Sequence, residues 1–424
     1  MTSEAAQAPA PSSYRFVVLT LLFVVYAFNF IDRQILGILV PAIKAELGFT
    51  DTELGWLGGP AFAIFYTALG VPIAWLADRW SRTWIMTVAL AVWSAFTAVC
   101  GYAQNFMQLF AARLGVGVGE AGGVAPAYSL ISDYFPPRER ARALAAYSFG
   151  IPIGSAAGIL IGGLLASQLD WRIAFIVVGI AGIAVAPLFR IFVREPARGR
   201  YDAQPAQQPR SSFWSSARML MSKPSYWLLS FGAASSSIMG YGIFFWMPSF
   251  LVRSFGFDVA QVSLYYGAIL FLGGVAGVWL GGALADATGK TKRSRYALIP
   301  AAAFVLTLPC YILGLLSSSP LLAFLLFLPP TALGLMWLGP VITAVQHLAP
   351  ANARTTASAL FLFINNLIGL GLGSLLIGAL SDALSAQFGD ESLRYSILAG
   401  TGFYVLAAVL MAAASRFLQR DWVD

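Results

Sequence analysis

Twelve apolar stretches, each long enough to cross a lipid bilayer, constrain the fold of this chain more than any other feature. A transmembrane helix needs about 20 consecutive apolar residues, whereas the strands of a membrane barrel appear as short alternating segments. Only 11% of the 424 residues are charged, which is too few to cover a soluble domain of this size. The sequence therefore predicts an all-α membrane protein with twelve transmembrane helices, and it excludes a disordered chain, a disulfide scaffold and an ordinary soluble enzyme. Numbered 1–12 in chain order, the predicted spans lie at 16–43, 54–77, 84–104, 106–132, 143–166, 171–193, 226–252, 260–285, 296–317, 320–347, 355–380 and 394–415.

A polar stretch separates these spans into two sets of six. It covers residues 194–223, contains three prolines and predicts a linker, with a short surface helix around 213–221. Proline-rich polar segments of this kind are typical of boundaries between structural units. We therefore assign residues 1–193 to a first six-helix bundle and residues 224–424 to a second.

Lysine and arginine are distributed unequally between the two sides of the predicted membrane protein. With the N-terminus inside, 20 of them fall on the cytoplasmic side, and only Lys44, Arg172, Arg253 and Arg394 fall outside. Cytoplasmic segments of membrane proteins carry an excess of these residues. The distribution predicts a multi-pass protein of the cell membrane with both termini and the linker in the cytoplasm. The net charge of +7 reflects this orientation and does not indicate nucleic-acid binding.

Four charged residues lie deep within the spans of the first half, away from the span ends: Asp32, Arg33, Arg113 and Glu120. Each costs roughly 2.5–3.5 kcal/mol at the centre of a membrane helix, but two acids and two bases can pair. Spans 1 and 4 place them at overlapping depths. Adjacent residues of a helix point about 100° apart, so we expect one of Asp32 and Arg33 to face a cavity and the other a neighbouring helix. The four form either a protonation switch, which we favour, or a static ion-pair network that joins the two spans.

The second half has no charged residue deep within a span, which predicts a cavity that is charged on one side and apolar on the other. Its spans offer aromatic and amide side chains instead. We expect Tyr241, Phe244 and Asn365 to line the cavity from the second half, and Asn29 and Tyr66 to line it from the first.

Two similar segments follow the second span of each half. They read AWLADRWSRT at 74–83 and GALADATGKT at 282–291, and they lie 208 residues apart. Internal repeats of this kind are typical of transporters whose binding site lies between two bundles near the middle of the membrane.

These segments resemble the loop motif of the major facilitator superfamily, G-x-L-A-D-R-x-G-R-K. The first copy retains Asp78, Arg79 and Arg82, and the second retains Asp286 and Lys290. The resemblance implies two six-helix bundles and secondary transport. It also implies a cytoplasmic gating latch that holds the outward-open state and breaks in the inward-open state. We assign to this latch Asp78, Arg79, Arg82, Asp133, Arg142, Asp286 and Lys290.

Within that superfamily the first half resembles the Spinster branch. The resemblance rests on NFIDRQ in span 1, on ARLGVGVGEAGGVAPAYSLISDYFPPRERARA through span 4 and on YSFGIPIGSAAG in span 5. It implies that Asp32 and Glu120 couple protons to transport, with Arg33 and Arg113 as their partners or as ligands of an anionic group. It also implies an amphiphilic substrate such as a lysophospholipid or a sphingoid phosphate. The anion:cation symporter branch shares the Asp-Arg pair and the Gly-Glu-Ala triplet, and it would imply a small organic anion instead.

Other classes of function lack their motifs in this sequence. There is no phosphate-binding loop for ATP-driven transport and no cluster of metal-ligating residues, and we expect Cys100 and Cys310 to be buried thiols. We therefore expect a monomeric transporter rather than an enzyme. Its partners would be the bilayer and an amphiphilic substrate, with no cofactor, no metal and no nucleic acid, and a proton gradient would drive it. A lipid scramblase or a membrane enzyme is the alternative from another class.

Overall fold

The computed structural model describes residues 13–201, 213–288, 292–350 and 353–423, and these residues form helices and no β-strands. The apolar segments are helical because a membrane span must satisfy its own backbone N–H and C=O groups. The first half comprises Tyr14–Leu47 (span 1), Asp51–Gly58 with Pro60–Ala77 (span 2), Arg82–Cys100 (span 3), Phe106–Glu120 with Val124–Tyr134 (span 4), Pro137–Ser148 with Gly150–Gln168 (span 5) and Trp171–Phe192 (span 6).

The second half has the same number of spans, preceded by the expected surface helix, Phe213–Met221. A short 3₁₀ turn at Gly389–Glu391 separates its last two spans. The half comprises Pro224–Phe255 (span 7), Val259–Thr288 (span 8), Arg295–Leu316 (span 9), Pro320–Leu333 with Leu338–His347 (span 10), Arg354–Asn365 with the π-helical turn Asn366–Leu370 and Gly371–Phe388 (span 11), and Ser392–Gly400 with Gly402–Asp421 (span 12).

Ten helical segments of the described residues are long and apolar enough to cross a membrane. They account for eleven of the twelve spans, because spans 11 and 12 lie together in the segment Thr356–Asp421. The one span that these segments do not include is span 4, whose helix is broken between Glu120 and Val124. The predicted fold class, an all-α membrane protein with twelve spans in two bundles, is confirmed.

The repeat seen in the sequence reappears in the backbone. Span 1 ends at Gly48 and span 7 ends at Gly256, and both glycines adopt a left-handed conformation with φ 68°. Glycine is favoured there because it has no Cβ to clash. These two residues are 208 positions apart, as are the two loop motifs, so the halves are structural repeats.

The described chain ends, Ser13 and Val423, lie at one face of the molecule, which we call the terminal face. Tyr14 donates to the carbonyl of Phe192 at the end of span 6, and the N–H of Val423 donates to the carbonyl of His347 at the end of span 10. The turns at Gly48 and Gly256 lie at the other side, which we call the opposite face. Within the bundles span 3 packs on span 6 and span 9 packs on span 12, while spans 1 and 7 contact each other across the halves.

Span 5 approaches the backbone of span 1 along a row of glycines. A Cβ on Gly154 would lie 2.3 Å from the carbonyl oxygen of Ala27, and one on Gly158 would lie 2.8 Å from that of Ile31. Small residues permit this approach of helix backbones in membranes.

Replacing Gly154 with valine is expected to disrupt the packing of span 5 on span 1. The cost should exceed the roughly 1–3 kcal/mol of ordinary overpacking, because the obstructing atom belongs to the backbone. Gly70 in span 2 has no atom within 4 Å of a built Cβ, so Gly70→Val is a matched control. Size-exclusion profiles and thermal unfolding in detergent measure the effect. Equal stability of the two variants would contradict this packing.

Candidate functional site

The four charges within the first half come together between spans 1 and 4. Asp32, Arg113 and Glu120 are at most 2% exposed, and the Arg33 side chain is 12% exposed. The Nε of Arg33 donates to Oε2 of Glu120 at 2.9 Å. This charge-assisted hydrogen bond between span 1 and span 4 offsets part of the cost of placing both groups inside the membrane.

The carboxylate of Asp32 points away from this pair. Both of its oxygens are buried and accept no hydrogen bond from a described residue, and Trp93 and Thr97 of span 3 are its neighbours. Arg113 donates instead to the backbone carbonyl of Asp32, with 3.5 Å between Nη1 and the oxygen. Span 1 therefore directs its acid towards span 3 and the adjacent Arg33 towards Glu120, in agreement with the 100° offset.

Glu120 is the last residue of the first helical segment of span 4. The N–H groups of Gly122 and Gly123 donate to the carbonyls of Gly119 and Glu120, three residues back, in place of regular α-helical bonds. Two adjacent glycines and the nearby Pro126, which has no N–H, are common causes of such breaks. The break places the buried carboxylate at a point where the helix can change direction.

Aromatic rings surround the guanidinium group of Arg33. Its central carbon lies 4.8 Å from the ring centres of Phe62 and Tyr66 and 5.1 Å from that of Phe30. Tyr241 of the second half lies near it. Cations are attracted to the faces of such rings. Arg33 thus lies at the boundary between the halves, where its charge can meet a group in the intervening space.

The five predicted lining residues divide into two groups. Tyr66, Tyr241 and Phe244 are half-buried, and Tyr66 and Tyr241 lie near Arg33. Asn29 and Asn365 are 2% and 4% exposed: Asn29 lies beside Glu120, and Oδ1 of Asn365 accepts from Ser237 at 2.9 Å. Asn365 directly precedes the π-helical turn of span 11, an irregularity that is frequent at functional sites. Roles in binding substrate stay predictions for all five.

The residues assigned to the cytoplasmic latch do not form one cluster. Arg82 is 1% exposed, pairs with Asp133 and donates from Nε to Glu195 at 2.7 Å. Asp78, Arg79 and Arg142 are exposed, and Arg79 stacks on the ring of Trp75. Lys290 lies outside the described residues, as does the side chain of Asp286. The latch as a whole stays a prediction.

Glu195 is a member of the Arg82 cluster that sequence reasoning missed. It also accepts hydrogen bonds from the N–H of Thr83 and the hydroxyl of Ser81, both at 2.9 Å. Burial raises the pKa of Glu195, but the hydrogen bonds from Thr83, Arg82 and Ser81 outweigh it and hold that pKa below its usual range. The available signal was its position as one of two acids in the basic stretch 194–223.

A second network, also missed, joins the two halves at the opposite face. Asp51 is 2% exposed and accepts two hydrogen bonds from Arg253, at 2.7 and 2.6 Å. Lys44 at 2.5 Å and Ser381 at 2.7 Å also donate to it. One buried carboxylate of span 2 thereby connects spans 1, 7 and 11.

Asp382 adds a connection between the same halves. Its carboxylate accepts from the N–H groups of Asp51 and Thr52 at 3.0 and 2.7 Å, where an acid is favoured by the free N–H groups of a helix start. Nearby, a Cβ on Gly55 would lie 2.8 Å from the Leu375 backbone. Spans 2 and 11 are thus in close contact at the opposite face, and we call Asp51, Lys44, Arg253, Ser381 and Asp382 the outer network.

Comparison with known proteins gives a consistent result over nearly the whole chain. The model of the Major Facilitator Superfamily matches residues 22–373. An MFS-type efflux pump of Mycolicibacterium smegmatis is 32% identical over 406 residues, which cover 95% of this chain and 93% of that protein. Protein spinster homolog 1 of Homo sapiens is 28% identical over 431 residues, which cover 96% of this chain and 81% of that protein.

Solved structures show the same similarity. A bacterial homolog to the human lysosomal transporter Spinster, in an inward-facing and unoccupied conformation, superposes with a TM-score of 0.86 at 30% identity and covers 97% of this chain and 99% of its own. Its inward-facing and occupied conformation gives a TM-score of 0.82. The nucleoside transporter NupG, at 13% identity and a TM-score of 0.70, shares the fold.

Proposed function

Because the chain belongs to the Major Facilitator Superfamily, we propose that it is a proton-coupled secondary transporter that carries an anionic amphiphile by alternating access. Secondary transport follows from the family and the fold. Proton coupling and an anionic amphiphilic substrate are proposed from one observation, the Arg33–Glu120 pair. This pair lies between a charged first half and an aromatic second half. Lysophospholipids and sphingoid phosphates are the substrate class that suits these surfaces.

In this proposal, the orientation of the protein in the membrane determines which conformational state of the transport cycle the structure represents. The excess of lysine and arginine at the terminal face favours placing that face in the cytoplasm of a cell with the protein in its cell membrane. The outer network then closes the external side, while Asp78 at the terminal face is exposed. The state is inward-facing, like that of the bacterial Spinster homolog. The exposed latch residues Asp78, Arg79 and Arg142 would engage only after the cytoplasmic side closes.

Proton coupling in this proposal depends on the two acids being in different environments. A buried carboxylate without a hydrogen-bond donor is costly as an anion, which favours a proton on Asp32. Glu120 instead accepts a hydrogen bond from Arg33, which favours its anionic form. An anionic substrate that binds Arg33 would compete with Glu120, and the released carboxylate would then take up a proton or approach Arg113. Substrate binding and proton binding become linked through one guanidinium group.

The second half favours an amphiphile over a small polar anion. Tyr241, which lies near Arg33, and Phe244 of the same span are half-buried aromatic residues, and Oδ1 of the buried Asn365 already accepts a hydrogen bond from Ser237. A small organic anion would satisfy Arg33 but would leave this aromatic surface without contacts. An alkyl chain would cover it, and each buried CH₂ group contributes about 0.8 kcal/mol. The protein acts in this proposal as a monomer, without a cofactor, on the proton gradient.

Binding of lysophosphatidylglycerols with increasing acyl-chain length to the purified protein tests the substrate class. We expect affinity to rise with chain length, by up to about fourfold for each added CH₂, until the chain fills the space. The Phe244→Ala variant should reduce this slope, whereas Phe231→Ala, which alters an exposed aromatic residue of the same span, should not. Affinity that is independent of chain length, together with tight binding of a short hydroxy acid, would instead identify a small organic-anion symporter.

A further inference from the structure

A groove of about 620 Å³ opens on the lipid-facing surface of the first half, between spans 2, 3 and 4. Its walls are apolar and include Ile73, Leu76, Trp80, Trp84, Val88 and Val118. Ser81 contributes a hydroxyl group, which already donates a hydrogen bond to Glu195 at 2.9 Å. The groove therefore suits a hydrocarbon chain rather than a polar solute.

The length of the groove corresponds to one leaflet of a bilayer. Along span 3 it extends from Ser81 at the terminal face to Val92, which is about 17 Å at 1.5 Å per helical residue. Half of the hydrocarbon core of a membrane is about 15 Å. An acyl chain that enters from the terminal-face leaflet would end at the inner end of the groove.

Two arginines lie near the terminal-face end of the groove without lining it: Arg79 directly precedes the lining residue Trp80, and Arg190 stacks on the lining residue Trp84. The guanidinium of Arg79 stacks 3.8 Å from the ring centre of Trp75, and that of Arg190 lies 4.7 Å from the ring centre of Trp84. The Nε of Arg190 is buried and has no hydrogen-bond partner among the described residues. The acids nearby are Asp78, which is exposed, and Glu195, which is bonded to Arg82. Two stacked arginines with an excess of positive charge fit a phosphate group at the membrane surface.

We propose that this groove binds an anionic phospholipid of the terminal-face leaflet, with one acyl chain between spans 2, 3 and 4 and its phosphate at Arg79 and Arg190. The lipid is a resident ligand and not the transported molecule, because span 4 separates the groove from the space beside Arg33. Val118, Gly119 and Gly122 line the groove and flank Glu120 and the break in span 4. The bound chain thus supports the conformation of the segment that carries Glu120.

Native mass spectrometry of the protein with phosphatidylglycerol or phosphatidylcholine tests this site independently of transport. Val88 is 54% exposed, so Val88→Trp fills the groove without disturbing the core. Ile180→Trp, at a 57% exposed position of span 6, is the matched control. We expect Val88→Trp to lose the bound phosphatidylglycerol that the wild type and the control retain. A double variant, Arg79→Ala with Arg190→Ala, should weaken phosphatidylglycerol binding about 30-fold and phosphatidylcholine binding much less, because the choline cation offsets the charge of its phosphate.

Two results would overturn the proposal. Equal retention of phosphatidylglycerol by the wild type and Val88→Trp would place the bound lipid elsewhere. A dimer that dissociates specifically in Val88→Trp would assign the groove to a second copy of the chain. Thermal unfolding is the second measurement. We expect phosphatidylglycerol to stabilise the wild type more than phosphatidylcholine does, and we expect this difference to be absent in the double arginine variant.

Discussion

Proton-driven uptake is expected to be abolished in both the Glu120→Gln and the Asp32→Asn variants, while the protein remains folded. Neither variant can exchange the proton that the coupling requires at that position. Substrate exchange across the membrane without a proton gradient should persist, because the two halves can still move. Uptake into proteoliposomes with and without an imposed pH gradient separates the two activities.

The same two variants are expected to differ in stability. Glu120→Gln leaves the Arg33 guanidinium without its carboxylate partner, and breaking a buried ion pair costs about 3–5 kcal/mol. Asp32→Asn removes a carboxylate that no described residue bonds, so its thermal unfolding should be close to that of the wild type. Glu46→Gln, which alters an acid paired with Arg172 at the opposite face, is the control for coupling. Full proton-driven uptake by both Glu120→Gln and Asp32→Asn would remove these residues from the coupling mechanism.

Replacing Asp51 with asparagine is expected to open the opposite face. The variant leaves Arg253 and Lys44 without a buried counter-charge in the closed state only. When the face is open, water solvates both cations. The equilibrium should therefore move towards the outward-open state by roughly 3 kcal/mol, which is more than a hundredfold.

Spin-label distances measure this shift if both cysteines are first replaced. Labels at Gln104 and Ser318, both exposed, report on the opposite face, and labels at Ala197 and Gln419, both exposed, report on the terminal face. In Asp51→Asn the distance between labels at Gln104 and Ser318 should lengthen, and the distance between labels at Ala197 and Gln419 should shorten. Glu46→Gln is again the matched control, because its ion pair with Arg172 lies within the first half. Asp78→Asn should have the reverse effect by weakening the latch. Unchanged distances in Asp51→Asn would contradict a gating role for the outer network.

Features that depend on hydropathy were predictable from the sequence. The bilayer sets the length of each apolar segment, so the ends of the twelve spans and of the surface helix Phe213–Met221 were located to within eight residues. The convergence of Asp32, Arg33, Arg113 and Glu120 was also predictable, because unpaired charges are costly in membranes. Their pairing was not, since it depends on side-chain direction: Glu120 bonds Arg33, and Asp32 bonds neither arginine through its carboxylate.

Features that depend on tertiary contacts were not predictable. Asp51 bonds residues from spans 1, 7 and 11, and Ser381 is 330 positions away in the sequence. No local pattern specifies such contacts. The break in span 4 has local causes in Gly122, Gly123 and Pro126, but glycines in membrane helices also serve close packing. Gly119 illustrates this, since its Cβ would lie 2.5 Å from the Trp93 backbone.

The most direct test of proton-coupled transport is accumulation of an oleoyl lysophosphatidylglycerol by proteoliposomes that contain the wild-type protein. With a pH gradient imposed across the membrane, we predict that the lipid accumulates on one side above its equilibrium distribution, and that a protonophore abolishes the accumulation. Equilibration to the same distribution with and without the gradient would contradict proton coupling.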